Sequence, residues 1–193
     1  MANIDQLLQR NKDFAATCAH GEASIIARHQ VYVITCLDPR TDPSAFLELD
    51  LGDATVVRNA GRRVSADVLK DLAYIGYLAS TLVPGGPPFE VAVVHHTQCG
   101  THFLADDKFR RGFADLIGGD DAALAREAVT DPGQIVRSDV ELLRSATVLP
   151  DTITVSGHVY DVTSGLVTTI IPAAPMHPRM SSLTPKSARA ASL

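Results

Sequence analysis

Apolar positions along this chain fall into two alternating rhythms. Short, continuous, β-branched runs recur at 31–35 (VYVIT), 54–57 (ATVV) and 90–95 (EVAVVH), the pattern of strands buried on both faces. Between and around them the spacing turns helical. Ile4, Leu7, Leu8 and Phe14 share one face of a helix over 4–16 that packs on the outside or against a partner subunit. Leu69, Leu72, Ile75 and Leu82 have core spacing in a helix from Ala66 to about Leu82, with Ser65 as its N-cap. The PGGPP run at 84–88 is loop. Helical spacing resumes after His102 through Phe113, breaks at Gly118 and Gly119, and returns in a short helix over 121–128. Ser138 and Glu141 have capping-box spacing and predict the start of another helix, to about Ala146. The stretch 153–171 reads as two strands joined by a turn around Ser164 and Gly165.

Strands alternating with helices imply an α/β fold, a central mostly parallel sheet with helices on both faces. In such sheets ligands gather at the carboxyl ends of the strands. The 193 residues, 46% hydrophobic and 20% charged, suit a single domain over 1–175. Beyond it, 176–193 is rich in Pro, Ser, Ala and Met without periodicity and carries Arg179, Lys186 and Arg189 but no acid, which predicts a poorly ordered basic tail. The net charge of −5 gives no basic surface for nucleic acid or anionic lipid. No apolar stretch is long enough to span a bilayer, and Met1–Arg10 leads into polar residues rather than a secretory h-region. The expected protein is cytoplasmic, and its three cysteines serve in a reducing compartment as ligands or nucleophiles rather than staples.

Two of the buried strands run directly into metal-ligand residue types. VYVIT leads to Cys36, Asp38 and Arg40, and EVAVV leads to His95, His96 and Cys99. If the two strands are parallel neighbours, both sets meet at one edge of the sheet. Thiolate and imidazole suit Zn²⁺. His96 and Cys99 are near enough in sequence to chelate through one turn, and Cys36 then arrives from the other strand. Three protein ligands leave one position open, the arrangement of a catalytic rather than a structural zinc site. His95 and His96 point to opposite faces of an extended segment, so only one can join the site, and the spacing to Cys99 selects His96. A lone strand-end cysteine is most often a small buried hydrophobe, and a lone H-x-x-C pair is coincidence. Their joint occurrence at two strand ends carries the reading.

The order of motifs resembles the β-class carbonic anhydrases. C-x-D-x-R stands at Cys36, Asp38 and Arg40. G-D-x-x-V-x-R-N-A-G stands at Gly52, Asp53, Val56, Arg58, Asn59, Ala60 and Gly61. H-x-x-C-G stands at His96, Cys99 and Gly100. The resemblance covers roughly residues 1–172 and is nearest to the short forms with His-His-Thr-x-Cys-Gly, whose relatives include carbonyl sulfide and carbon disulfide hydrolases. It implies zinc held by Cys36, His96 and Cys99. Asp38 would occupy the fourth zinc position in a closed state or swing to Arg40 and free that position for water. The implied reaction is reversible hydration of CO2 to bicarbonate by zinc-bound hydroxide, with hydrolysis of carbonyl sulfide or carbon disulfide at the same site as the alternative. It also implies a homodimer or higher homo-oligomer.

Two positions depart from the commonest family pattern. Thr101 follows Gly100 where a second glycine is usual, and Arg62 follows Gly61 where a small or amide residue is usual. With no tryptophan in the chain, the noncatalytic bicarbonate pocket of some bacterial members does not carry over. The remaining candidates read as structural. Cys18 is a free thiol outside every motif, His102 a surface histidine, Arg58 and Asn59 braces of the site loop, and Asp106 with Asp107 a solvated helix face. Neither G-x-G-x-x-G nor a P-loop is present, against a nucleotide enzyme. A noncatalytic zinc or thiol sensor would need a fourth ligand or a resolving cysteine, and Cys18 is the only spare.

Overall fold

The computed structural model describes residues 2–85 and 89–176. The elements run α1 Asp5–Ala16, β1 Val31–Cys36, α2 Pro43–Phe46, β2 Ala54–Asn59, α3 Ala66–Leu82, β3 Glu90–His96, α4 Asp107–Ile117, α5 Asp121–Glu127, α6 Pro132–Ser145, β4 Thr154–Tyr160 and β5 Val167–Pro175. The strands form one five-stranded sheet in the order β2-β1-β3-β4-β5. The first three pairings are parallel and β4 with β5 is antiparallel. The α/β class with a mostly parallel sheet is therefore present, and β1 and β3 are parallel neighbours as the strand-end argument requires.

The main core lies on one face of the sheet. Tyr32 and Ile34 of β1, Val91 and Val93 of β3 and Val155 of β4 point to α3 and α6, meeting Val68 and Leu72 of α3 and Val136, Val140 and Leu143 of α6. Ile34, Leu72 and Leu143 are fully buried, and each such side chain contributes about 1.5–3 kcal/mol relative to leaving it in water. Gly157 lets α6 approach β4 closely, since a Cβ there would lie 3.0 Å from Val136 Cγ2 and 3.1 Å from Val140 Cγ2. Ser65 caps α3 through Val68 N at 3.3 Å, as its sequence predicts.

Several expectations are corrected. The helix expected to open at Ser138 begins six residues earlier, at Pro132. Asp131 caps it through Gln134 N at 3.0 Å, with proline in the first turn. Ser138 sits mid-helix and turns its hydroxyl back onto Gln134 O at 3.4 Å. Leu82 ends α3 half-exposed rather than in the core. The helix expected straight after His102 is a 3-10 turn over Gly100–Ala105 before α4 begins. Asp106 and Asp107 lie exposed at the start of α4, as expected, where Asp106 is the N-cap, accepting from Phe109 N at 2.8 Å, and Asp107 also pairs with the buried Arg110 at 2.6 Å. The last strand reaches Pro175, and Met176 packs in the core with only 2% exposure. The basic tail lies, from 177 onward, outside the described residues.

Candidate metal centre

Cys36 is the last residue of β1 and His96 the last of β3, so parallel pairing delivers both to the same edge of the sheet. After His96 the chain turns sharply. Thr97 N donates to Tyr160 O of β4 at 3.0 Å, and Gln98 takes a left-handed φ of 55°, an uncommon conformation for a non-glycine residue. Cys99 then heads the 3-10 turn. The result is a cluster in which Sγ of Cys36, a ring nitrogen of His96 and Sγ of Cys99 all lie within 4.8 Å of one another, every one of the three residues buried.

The donor set fits a zinc ion. The two sulfurs are 4.0 Å apart, too far for the ~2.05 Å bond of a disulfide. Two sulfurs each ~2.3 Å from one tetrahedral ion stand ~3.8 Å apart, close to what is observed. Nδ1 of His96 lies 2.7 Å from Thr97 O, and a carbonyl can only accept, so the proton sits on Nδ1 and the lone pair on Nε2. Nε2 is buried and has no hydrogen-bond partner among the described residues, the condition of an imidazole waiting for a metal.

Asp38 and Arg40 stand beside the cluster. Arg40 donates from Nε to Oδ1 at 3.0 Å and from Nη2 to Oδ2 at 2.7 Å, and its backbone N–H reaches Oδ1 at 2.9 Å. These hydrogen bonds hold the Asp38 carboxyl well below its usual range, at about 2, against the opposing effect of burial. The carboxylate of Asp38 is not among the clustered donors; it is turned to Arg40. Arg40 is in turn held by Gln98, whose backbone O accepts from Nη2 at 3.1 Å and whose Oε1 accepts from Nη1 at 3.4 Å.

A second arginine fixes the loop after β1. Arg58 donates from Nε to Cys36 O at 2.9 Å and from Nη2 to Asp38 O at 2.8 Å, and pairs with Asp42 at 3.1 Å. Asn59 Nδ2 donates to Arg63 O at 2.9 Å. Arg58 braces the site loop, as expected, while the Asn59 side chain braces the turn after β2. Cys18 is exposed and not among the clustered donors, and His102 is exposed with Nδ1 on Cys99 O at 2.7 Å.

Sequence reasoning passed over two contacts. Thr101 Oγ1 lies 3.1 Å from Cys99 Sγ. Gly61, at φ 69°, backs onto that same threonine, and a Cβ there would sit 3.2 Å from Thr101 Oγ1. The departure from a second glycine after Gly100 was the signal for this pair, but nothing local shows that residue 101 meets residue 61. An apolar cavity of about 310 Å³ lies at the other end of the strands, bounded by Val31, Tyr32, Gly76 and Phe89, away from the donor cluster.

The carbonic anhydrase family model matches residues 31–167, a span that holds all three donors with Asp38 and Arg40. The chain is 28% identical over 172 residues to β-carbonic anhydrase 1 of Mycobacterium tuberculosis, covering 89% of this chain and all of that one. It is 24% identical to a carbon disulfide hydrolase of an Acidianus strain, covering 82% of this chain and 84% of that one. Its structure matches the carbonic anhydrase of Streptococcus mutans with a TM-score of 0.72 at 29% identity, over 88% of this chain and 98% of that one. The chain belongs to the β-carbonic anhydrase family, whose general reaction is the hydration of CO2.

Proposed function

We propose that Cys36 Sγ, His96 Nε2 and Cys99 Sγ hold one Zn²⁺ and that the enzyme interconverts CO2 and bicarbonate. The observation that carries this is the convergence of two cysteine sulfurs and a buried imidazole nitrogen within 4.8 Å at the end of parallel strands. A zinc ion there supplies Lewis acidity, which lowers the pKa of a water towards ~7 so that it can act as a nucleophile at neutral pH.

The remaining work falls to Asp38 and Arg40. A carboxylate has roughly four acceptor sites. Arg40 fills two on Oδ1 and one on Oδ2, which leaves a lone pair on Oδ2 to accept a hydrogen bond from the nucleophilic water and fix its direction. Arg40 stays charged at any working pH and keeps Asp38 an acceptor only. Arg58 holds the carbonyls of Cys36 and Asp38, so the thiolate and carboxylate keep their separation. When Arg40 releases Asp38, the carboxylate is free to turn towards the donor cluster and close the open position.

Hydrolysis of carbonyl sulfide or carbon disulfide is the second reading. It is favoured by the similarity to carbon disulfide hydrolases, which extends over most of the chain. A side-by-side assay of CO2 hydration and of COS and CS2 hydrolysis on the zinc-loaded protein decides between them. Dominant CO2 turnover is expected, and a sulfide-producing activity with no CO2 hydration would overturn it.

The protein acts as a homodimer or larger homo-oligomer. Supporting this, α1 buries none of its residues in its own chain, and Ile4, Leu7, Leu8 and Phe14 are each 44–53% exposed. A monomeric mass by light scattering at low micromolar concentration, with full activity, would contradict it. No helix among the described residues is long and apolar enough to cross a membrane. Thiol ligands suit the reducing cytoplasm.

A further inference from the structure

Asp139 occupies a position on α6 where an apolar residue belongs. The buried residues of that helix are Val136, Asp139, Val140 and Leu143, a single inward stripe with one carboxylate in it. Asp139 is 1% exposed, and burying a carboxylate is costly unless it is paired and hydrogen-bonded. It is both. Oδ2 lies 3.0 Å from Nε2 of His95, itself fully buried, and Oδ1 accepts from Arg63 Nε at 3.1 Å. Arg63 also donates from Nη1 to Arg126 O at 2.8 Å. No step of the proposed reaction uses any of these groups.

The segments that Asp139 joins are the ones that build the donor pocket. His95 directly precedes His96 at the end of β3. Successive side chains of a strand point to opposite faces, so fixing the His95 ring towards α6 sets the peptide plane that aims His96 the other way. Arg63 ends the turn after β2, where its carbonyl accepts from Asn59. Within that turn Gly61 backs onto Thr101, whose hydroxyl touches Cys99 Sγ. One carboxylate on α6 thus ties down both the strand end that offers His96 and the turn that supports Cys99.

We infer that Asp139 is a positioning residue for the metal centre: through His95 and Arg63 it holds the end of β3 and the 59–63 turn in the arrangement that lets three ligand atoms converge before metal arrives. This rests on the reading of Cys36, His96 and Cys99 as zinc ligands. An ion pair that served only the fold would lower stability and leave metal binding untouched. Partners one step out from the ligands typically change metal affinity about 10–100-fold when removed.

The test measures zinc transfer to a chromophoric chelator, and the visible absorption bands of the cobalt-substituted protein, for the wild type, Asp139→Asn, Arg63→Met and Leu72→Ala. Asp139→Asn keeps the shape of the side chain and should release zinc roughly 10–100-fold faster, with shifted cobalt bands. Arg63→Met, which cuts only the link to the 59–63 turn, should fall between it and the wild type. It also carries the test if Asp139→Asn does not fold. Leu72→Ala destabilises the core from α3 and should release zinc at the wild-type rate. If the folded variants at 139 and 63 match the wild type in rate and spectrum, however far their melting temperatures fall, the inference is overturned. A wild-type protein that takes up no zinc would instead overturn the ligand assignment itself.

Discussion

Asp38 and Arg40 meet edge to edge, with Nε 3.0 Å from Oδ1 and Nη2 2.7 Å from Oδ2, and the backbone N–H of Arg40 closes a third contact at 2.9 Å. Only Pro39 separates them, so the pair is set by the loop after β1 rather than by long-range packing. The carboxylate is thereby turned to Arg40 and kept out of the cluster of donor atoms.

Removing Arg40 should release that carboxylate. Arg40→Ala is expected to keep zinc near the wild-type content while turnover falls steeply, because Asp38 is then free to take the open position. Asp38→Ala should also keep zinc, with turnover reduced on the order of 10²–10³-fold through loss of the orienting acceptor. Metal analysis and stopped-flow hydration assays on the same samples check both. Wild-type turnover by Arg40→Ala from about pH 6 to about pH 9 would make the pair a structural ion pair only.

The same pair sets an acid limit on stability. The folded pKa of Asp38 is depressed to about 2, so its contribution is fully present above the ordinary carboxylate value of ~3.9 and is lost as pH falls towards about 2. Acid unfolding of Asp38→Asn should therefore lose pH dependence only below pH ~4, with the wild-type slope unchanged above it.

Gly61→Ala tests the support behind Cys99. At φ 69° an alanine costs about 1–2 kcal/mol in backbone conformation, and its Cβ would press on Thr101 at 3.2 Å. Urea unfolding should show a loss of at least that size. A change below about 0.5 kcal/mol would show that the turn relaxes freely.

Much of the centre was readable from the chain because its chemistry sits at strand ends. A buried run ending in Cys36 and another ending in His96 become neighbours once the sheet is parallel, and the register from Val31–Glu90 to Ile34–Val93 makes them so. The supports were not readable. Asp139 is 44 residues from His95 and 76 from Arg63, and in sequence it looks like an ordinary polar residue beside Ser138. The start of α6 was misplaced because two capping signals compete. Asp131 with Pro132 wins over Ser138 with Glu141, since proline at the first helical position needs no N–H partner and presets φ.

His158 gives a pH dependence outside the site. Its Nε2 lies 2.8 Å from Ser156 Oγ and its Nδ1 3.1 Å from Thr169 Oγ1, while the Ser156 hydroxyl donates to Glu90. Burial pushes its pKa below 6.5, and the nearby Glu90 only partly offsets that. The unfolded chain then binds the proton first, so stability is full above pH ~6.5 and falls as pH drops through the folded value. His158→Gln should flatten the melting temperature between about pH 7 and about pH 5. An unchanged slope would place the titration elsewhere.

The central claim is that Cys36, His96 and Cys99 bind zinc together, and the metal content of the purified protein tests it most directly. Replacing Cys36 or Cys99 with Ser substitutes a hydroxyl, a poor zinc ligand at neutral pH, for a thiolate. Inductively coupled plasma analysis should find one zinc per chain in the wild type and almost none in Cys36→Ser or Cys99→Ser, with circular dichroism showing that both variants stay folded. Full zinc occupancy in either folded variant would contradict the account.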